Sequence, residues 1–194
     1  MIGPEGSIKV GIDYDGVIVK KAHSLDFVRR PTKLFLPTLP GVIEGIDYLN
    51  VQSDVDVLGI YTVRPRWLRE IQTREQVERR KIPIKDIIHA KDSSKGKIEA
   101  LLTDVWVEGG VIEQIVLIDD NVQKVVDGAR QLYDEKPQLR YLLARFTLAA
   151  FNPQQPEQIK GMIVPGVVHI VEMRDWADVV RMLDHVRFHA FIQR

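Results

Sequence analysis

The chain is predicted to be an α/β protein, a three-layer Rossmann-like parallel sheet with helices on both faces. Two patterns predict this. Short apolar runs alternate with segments whose apolar residues recur at helical spacing, the order expected of parallel strands joined by crossover helices. The runs also end in acidic or polar residues, as parallel strands do where they meet a ligand crevice. The length of 194 residues, 45% hydrophobic and 28% charged, suits one domain with a sizeable core.

Ile8 to Ile12 is an apolar run ending in Asp13-Tyr14-Asp15-Gly16, a buried strand that enters a tight turn. Pro40-Gly41 opens a helix with Val42, Ile43, Ile46 and Leu49 on one side, and Val55 to Tyr61 follows as the second strand. Pro65 suits the first turn of a helix striped with Trp67, Leu68, Ile71 and Val77 that ends near Arg80. A shorter third strand lies within Ile82 to His89. Ser93 or Ser94 caps the next helix, which turns Ile98, Leu101 and Leu102 inward before Gly109-Gly110 breaks it. Ile115 to Ile118 is the fourth strand, and Val122, Val125, Val126, Ala129 and Leu132 form the inner face of the helix after Asp119-Asp120-Asn121. The remainder is expected to hold a fifth strand in Tyr141 to Phe151, a strand at Val167 to Val171, and a closing helix capped by Asp175 that buries Trp176, Val179, Val180 and Leu183. Ala22 to Leu39 and Asn152 to Gly166 are read as loops of a single domain, 1–194, with the chemistry in 8–132 and the fold completed by 133–194.

Composition narrows the function. Twenty-seven basic residues cancel 27 acidic ones, which removes the bulk positive charge of a dedicated nucleic-acid binder. With no cysteine there is no thiol nucleophile and no thiolate zinc site. Met1 to Ser7 lacks the basic start and apolar run of a signal peptide, and no apolar stretch approaches the ~20 residues of a membrane span, so a cytoplasmic location with no membrane partner is expected. No G-x-G-x-x-G follows a strand and no G-x-x-x-x-G-K-[ST] is present, which argues against dinucleotide and P-loop binding.

Four strand ends carry candidate chemistry: Asp13-x-Asp15-Gly16, Thr62, a lysine among Lys91, Lys95 and Lys97, and Asp119-Asp120. Each alone has a plainer reading as a turn, a helix cap or a solvated helix start. Their succession, each at the end of an apolar strand, gathers carboxylates, a hydroxyl and an ammonium in one crevice. Carboxylates packed this closely call for a raised pKa or a hard cation, with magnesium the simplest.

Val10-Gly11-Ile12-Asp13-Tyr14-Asp15-Gly16-Val17, Gly59-Ile60-Tyr61-Thr62, Lys95 or a neighbour, and Val116-Leu117-Ile118-Asp119-Asp120 resemble, in order, the four motifs of the haloacid dehalogenase superfamily of aspartate-dependent phosphohydrolases. The resemblance runs from about Ile8 to Leu132, with Val17 in place of the commoner threonine. It implies a magnesium-dependent phosphomonoesterase in which Asp13 attacks phosphorus and Asp15 serves as general acid and base. Asp13, the Asp15 backbone carbonyl and Asp120 would hold the metal, with Asp119 as a further ligand or its support. Thr62 and the turn amides around Tyr14 and Gly16 would grip phosphoryl oxygens, with Val63 and Arg64 beside the substrate. Lys95 is favoured as the motif lysine, with Lys91 and Lys97 as alternatives. The short intervals around Thr62 leave no room for a globular cap, which implies an open site. Such a site suits a phosphorylated small molecule or an accessible macromolecular end, or a homodimer that supplies a lid. The alternative is a non-catalytic binding or scaffold protein on the same fold. His185 and His189, one helical turn apart, are read as ordinary helix surface.

Overall fold

Strands in this chain form where β-branched and leucine side chains run together, and three of them stop at Asp13, Thr62 and Asp119. The computed structural model describes residues 7–21, 36–64, 72–84, 86–90, 93–109, 111–152 and 169–193. Among these, β1 (Ser7–Ile12), β2 (Val55–Thr62), β3 (Ile87–His89), β4 (Ile112–Asp119), β5 (Phe146–Phe151) and β6 (His169–Met173) form one sheet in the order β3-β2-β1-β4-β5-β6. Every pairing is parallel. The helices are α1 (Val42–Asn50), α2 (Arg74–Arg79), α3 (Ser94–Glu108), α4 (Val122–Glu135), the short α5 (Arg140–Leu143) and α6 (Val179–Gln193). No described helix is long and apolar enough to cross a membrane.

The pleat divides the core in two. Ile8, Val10 and Ile12 of β1 and Val116 and Ile118 of β4 face Val42, Ile46 and Leu49 of α1 and Val179, Met182, Leu183 and Val186 of α6. Ile115 and Leu117 of β4 and Tyr61 of β2 face the other way, toward Ile98, Leu101 and Val105 of α3 and Val125, Val126 and Ala129 of α4. Period-2 alternation on a sheet covered from both sides makes both sets apolar, which is why these strands read as near-continuous hydrophobic runs. Trp176 seals the α1/α6 side, and its indole N–H donates to the Val17 carbonyl at 2.8 Å, tying the C-terminal region to the turn after β1.

Several element boundaries differ from the sequence expectation. The third strand is confined to Ile87–His89, because Lys81 turns at φ 53 and the chain is still emerging from α2. The fifth strand starts only at Phe146; Arg140–Leu143 is helical and carries the apolar pair Leu142 and Leu143 into the core. Among the described residues the sixth strand is His169–Met173, which runs two residues past the expected end at Val171. Asp175 does cap the closing turn, accepting from the Ala177 amide at 2.9 Å, although that turn is 3-10 at Trp176–Asp178 before α6 begins. The expected helix stripe at Trp67, Leu68 and Ile71, and Lys91, lie outside the described residues, as does most of the two expected loops.

Candidate functional site

β1 and β4 end side by side. Ile12 pairs with Ile118, and the Asp13 amide donates to the Ile118 carbonyl at 2.8 Å, so the next residues of the two strands, Asp13 and Asp119, emerge together. Gly16 then turns the chain at φ 88, and a Cβ at that position would collide with the Asp120 carboxylate. The glycine of Asp13-x-Asp15-Gly16 thus supplies both a left-handed turn and the space that admits Asp120. Carboxylate oxygens of Asp13, Asp119 and Asp120 lie within 4.8 Å of one another.

Lys97 binds two of these acids, with its Nζ 2.8 Å from Asp13 Oδ2 and 2.6 Å from Asp119 Oδ2. All three side chains are buried, at 4%, 8% and 0% exposure for Lys97, Asp13 and Asp119. Burial, reinforced by the charge of Asp119, pushes Asp13 up to about 8 against the opposing pull of Lys97. Burial alone would lower Lys97, but the two carboxylates more than reverse it and its pKa is raised. Asp119 also accepts from the Asn121 amide at 2.8 Å, which fixes its other oxygen. Asp120 is the more open acid and meets the exposed Lys21 at 2.8 Å.

Lys95 therefore does not enter the cluster, contrary to the sequence expectation. The helix start was placed correctly: Ser93 caps α3, its hydroxyl accepting from the Gly96 amide at 3.1 Å. The face was not. Lys95 and Lys97 lie about 200° apart around a helix, and α4 takes the Lys95 side. Gly128 of α4 abuts the Lys95 backbone so closely that a Cβ would clash with it, and Lys95 pairs with Glu135 of the same helix. Packing of α3 on α4 through that glycine turns Lys97 to the strand ends.

Asp15 stands outside the triad. Arg64 holds it by two bonds, Nε to Oδ2 at 2.7 Å and a terminal nitrogen to Oδ1 at 2.5 Å. The same guanidinium donates to Thr73 Oγ1 at 3.2 Å and lies 4.4 Å from the Tyr14 ring centroid. At 4% exposure, Arg64 has its guanidinium spent on protein groups rather than presented to a substrate, a second departure from expectation. The turn amides are also committed: Tyr14 N–H donates to Asp13 Oδ1 at 2.8 Å and Gly16 N–H to the Val19 carbonyl at 2.8 Å. Thr62, the last residue of β2, is buried and accepts from the Arg64 amide at 3.1 Å, while Val63 is partly exposed.

These groups open into a cleft of about 590 Å³ lined by Asp13, Asp15, Lys21, Val63, Lys95, Lys97 and Asp120, among others, so Lys95 borders the cleft while Lys97 alone of the two reaches the acids. An all-carboxylate donor set with buried and half-open members suits a hard divalent cation such as magnesium. The preference for Lys95 over its alternative Lys97, and the placing of Arg64 beside a substrate, are the two expectations the geometry departs from; Lys97 had a signal, since it lies on the α3 face that also carries buried Leu101. Comparison of the chain with protein-family models, with curated proteins and with solved structures gives no match.

Proposed function

We propose that the protein is a magnesium-dependent phosphohydrolase that cleaves phosphomonoesters through an aspartyl-phosphate intermediate on Asp13. The observation that carries this reading is the buried Asp13–Lys97–Asp119 arrangement, completed by Asp120, at the adjoining ends of β1 and β4. Burying like charges together is costly, and a chain keeps such a group where charge is needed for chemistry. The reading accords with the motif order seen in the sequence.

Asp13, Asp119 and Asp120 would hold the metal, which when bound lowers the repulsion between a carboxylate nucleophile and an anionic phosphate. An oxygen of Asp13 forms the bond to phosphorus as the bond from phosphorus to the ester oxygen breaks. Asp15 delivers the proton to the departing alcohol. In the second half Asp15 takes a proton from water, whose oxygen bonds to phosphorus and frees Asp13 with release of phosphate. Arg64 positions Asp15 by two bonds, one of which is given up when Asp15 carries the proton. Lys97 holds Asp13 in place and offsets charge as the phosphoryl group arrives. Thr62 and the partly exposed Val63 border the phosphoryl position at the end of β2.

An aryl phosphate tests the proposal cheaply. Hydrolysis is expected with added magnesium, lost with a chelator and lost in Asp13→Asn. Wild-type turnover in a folded Asp13→Asn protein would remove the assignment, and magnesium binding without turnover on any phosphomonoester would favour the non-catalytic alternative.

A further inference from the structure

Beyond the acid cluster the cleft continues between the first turns of α3 and α4, where its lining takes no part in the chemistry described above. Ser94 and Lys95 come from α3, and Lys124, Asp127 and Gly128 from α4. We infer that this outer part binds a second anionic group, a phosphate or a carboxylate, carried by the alcohol that departs from phosphorus. The inference rests on the reading of Asp13 as the residue that takes the phosphoryl group, and it names the substrate class as small, polar phosphomonoesters with two anionic groups.

Ser94 is the first residue of α3, a helix of 15 residues, and lines the cleft at 9% exposure. The hydroxyl of Ser93 beside it is spent on the Gly96 amide, but the Ser94 hydroxyl has no hydrogen-bond partner among the described residues. Set this deeply, it has little water to bond, and a ligand oxygen that accepts from it supplies the missing bond. The same helix start favours negative charge through its first amides and the positive end of its dipole.

Lys124 supplies the charge. Gly128 packs on the Lys95 backbone, and Lys124 lies one turn earlier on the same face of α4, so Lys124 and Ser94 border the same opening. Lys124 is exposed and makes no ion pair or hydrogen bond among the described residues. Its charged neighbours are committed elsewhere: Lys95 to Glu135, and Asp127 to Gln123 at 2.9 Å and Arg130 at 3.7 Å. Lys124 is thus the charge left over, and an ammonium beside a helix start draws an oxyanion in preference to a neutral group. The lining also excludes another class of leaving group. Among the described residues the cleft holds no aromatic ring and one aliphatic side chain, Val63. A nucleobase has nothing to stack on there, whereas a hydroxylated or anionic skeleton meets donors along the wall.

Calorimetric titration of the Asp13→Asn protein at saturating Mg²⁺ tests this, since that variant binds a substrate without consuming it. Phosphoglycolate is compared with ethyl phosphate, and fructose bisphosphate with fructose monophosphate, so each pair differs by one anionic group. In at least one pair the doubly anionic member should bind at least ~10-fold tighter, the scale of hydrogen bonds to charged groups. Added salt should narrow the gap, because Lys124 is exposed. Lys124→Ala, at an exposed position, should remove most of the gap, and Ser94→Ala, which keeps the Ser93 cap, should remove part of it. Equal affinities within both pairs, or a gap untouched by both substitutions, would overturn the subsite. A preference for the double anion in a protein whose wild type hydrolyses neither these compounds nor an aryl phosphate would uphold the subsite and remove the phosphohydrolase reading. Hydrolysis of the aryl phosphate with no preference within either pair would remove the subsite alone.

Discussion

β1 and α3 carry two lysines that each sit between two carboxylates, one pair at either end of the sheet. Lys9 of β1 reaches Asp56 of β2 and Glu108 at the end of α3, both at 2.7 Å. Lys97 at the start of α3 reaches Asp13 and Asp119 at 2.8 and 2.6 Å. Charge and geometry are nearly the same, but solvent is not. Asp56 and Glu108 are 48% and 45% exposed, whereas Asp13 and Asp119 are 8% and 0% exposed. A concavity of about 630 Å³ lined by Asp56, Asp86 and Glu108 adjoins the first pair, so cavity size does not distinguish the two ends. Dielectric does. Water screens the acids around Lys9, which can act as a strut between β1 and α3, while burial, with the charge of Asp119 added, pushes Asp13 up to about 8 against the pull of Lys97.

The largest effect expected is from Asp13→Asn, which keeps the shape and removes the nucleophile. Turnover should fall by at least ~10⁴-fold, as losses of a nucleophile do, with a cooperative thermal transition retained. Next come the lysines. Lys97→Met should destabilise the protein by about 3 kcal/mol, because it strands two buried carboxylates, and slow turnover by ~100-fold or more. Added magnesium should restore part of the lost melting temperature, since a bound cation replaces the ammonium. Lys95→Met should leave turnover near wild type. Equal losses in the two variants would erase the distinction between the faces of α3.

A comparable loss of turnover, without the loss of stability, is expected at the Asp15–Arg64 pair. Asp15→Asn should bind magnesium nearly normally and turn over at least ~100-fold more slowly, the scale of a missing general acid. Arg64 positions Asp15, so Arg64→Lys should lower kcat while leaving KM near wild type. A loss of thermal stability with kcat unchanged would mean that Arg64 serves only the fold.

The smallest effect belongs to Lys9. Lys9→Met should cost about 1 kcal/mol near neutrality, given its half-exposed partners, and leave turnover unchanged. The pH dependence has a definite sign. Burial lowers Lys9, but its bonds to Asp56 and Glu108 outweigh it and raise the pKa above the ordinary 10.5. A cation with a raised folded pKa contributes fully below the unfolded value and loses that contribution as pH rises through the folded one. Urea midpoints of the wild type should therefore decline above pH 10.5, and Lys9→Met should decline less. An identical alkaline decline in both would assign it to other groups.

The order of elements and the position of three acids were legible because they depend on short spans of chain. Ile8 to Ile12 cannot be exposed, Gly16 must turn, and Asp119 must end β4. The Ser93 cap is equally local, since a hydroxyl there accepts from an amide three residues on. Boundaries were less legible where apolar content did not distinguish helix from strand, as at Tyr141 to Leu143, whose side chains would suit either.

From the sequence alone came the α/β alternation, the strand ends and the identity of Asp13, Asp15, Asp119 and Asp120 as the residues to examine, because hydrophobic periodicity and turn chemistry act between near neighbours. Tertiary structure alone decided which lysine meets them, that Arg64 clasps Asp15 instead of facing solvent, and that His169 joins His185 and His189 across the edge of the sheet. The lysine and histidine placements depend on how a helix is rotated about its own axis or which strand it covers, and the Arg64 clasp on where the segment after β2 meets the turn after β1. Side-chain spacing within one helix says which residues share a face; the partner packed against that helix, here Gly128 of α4 against Lys95, decides which face looks into the site.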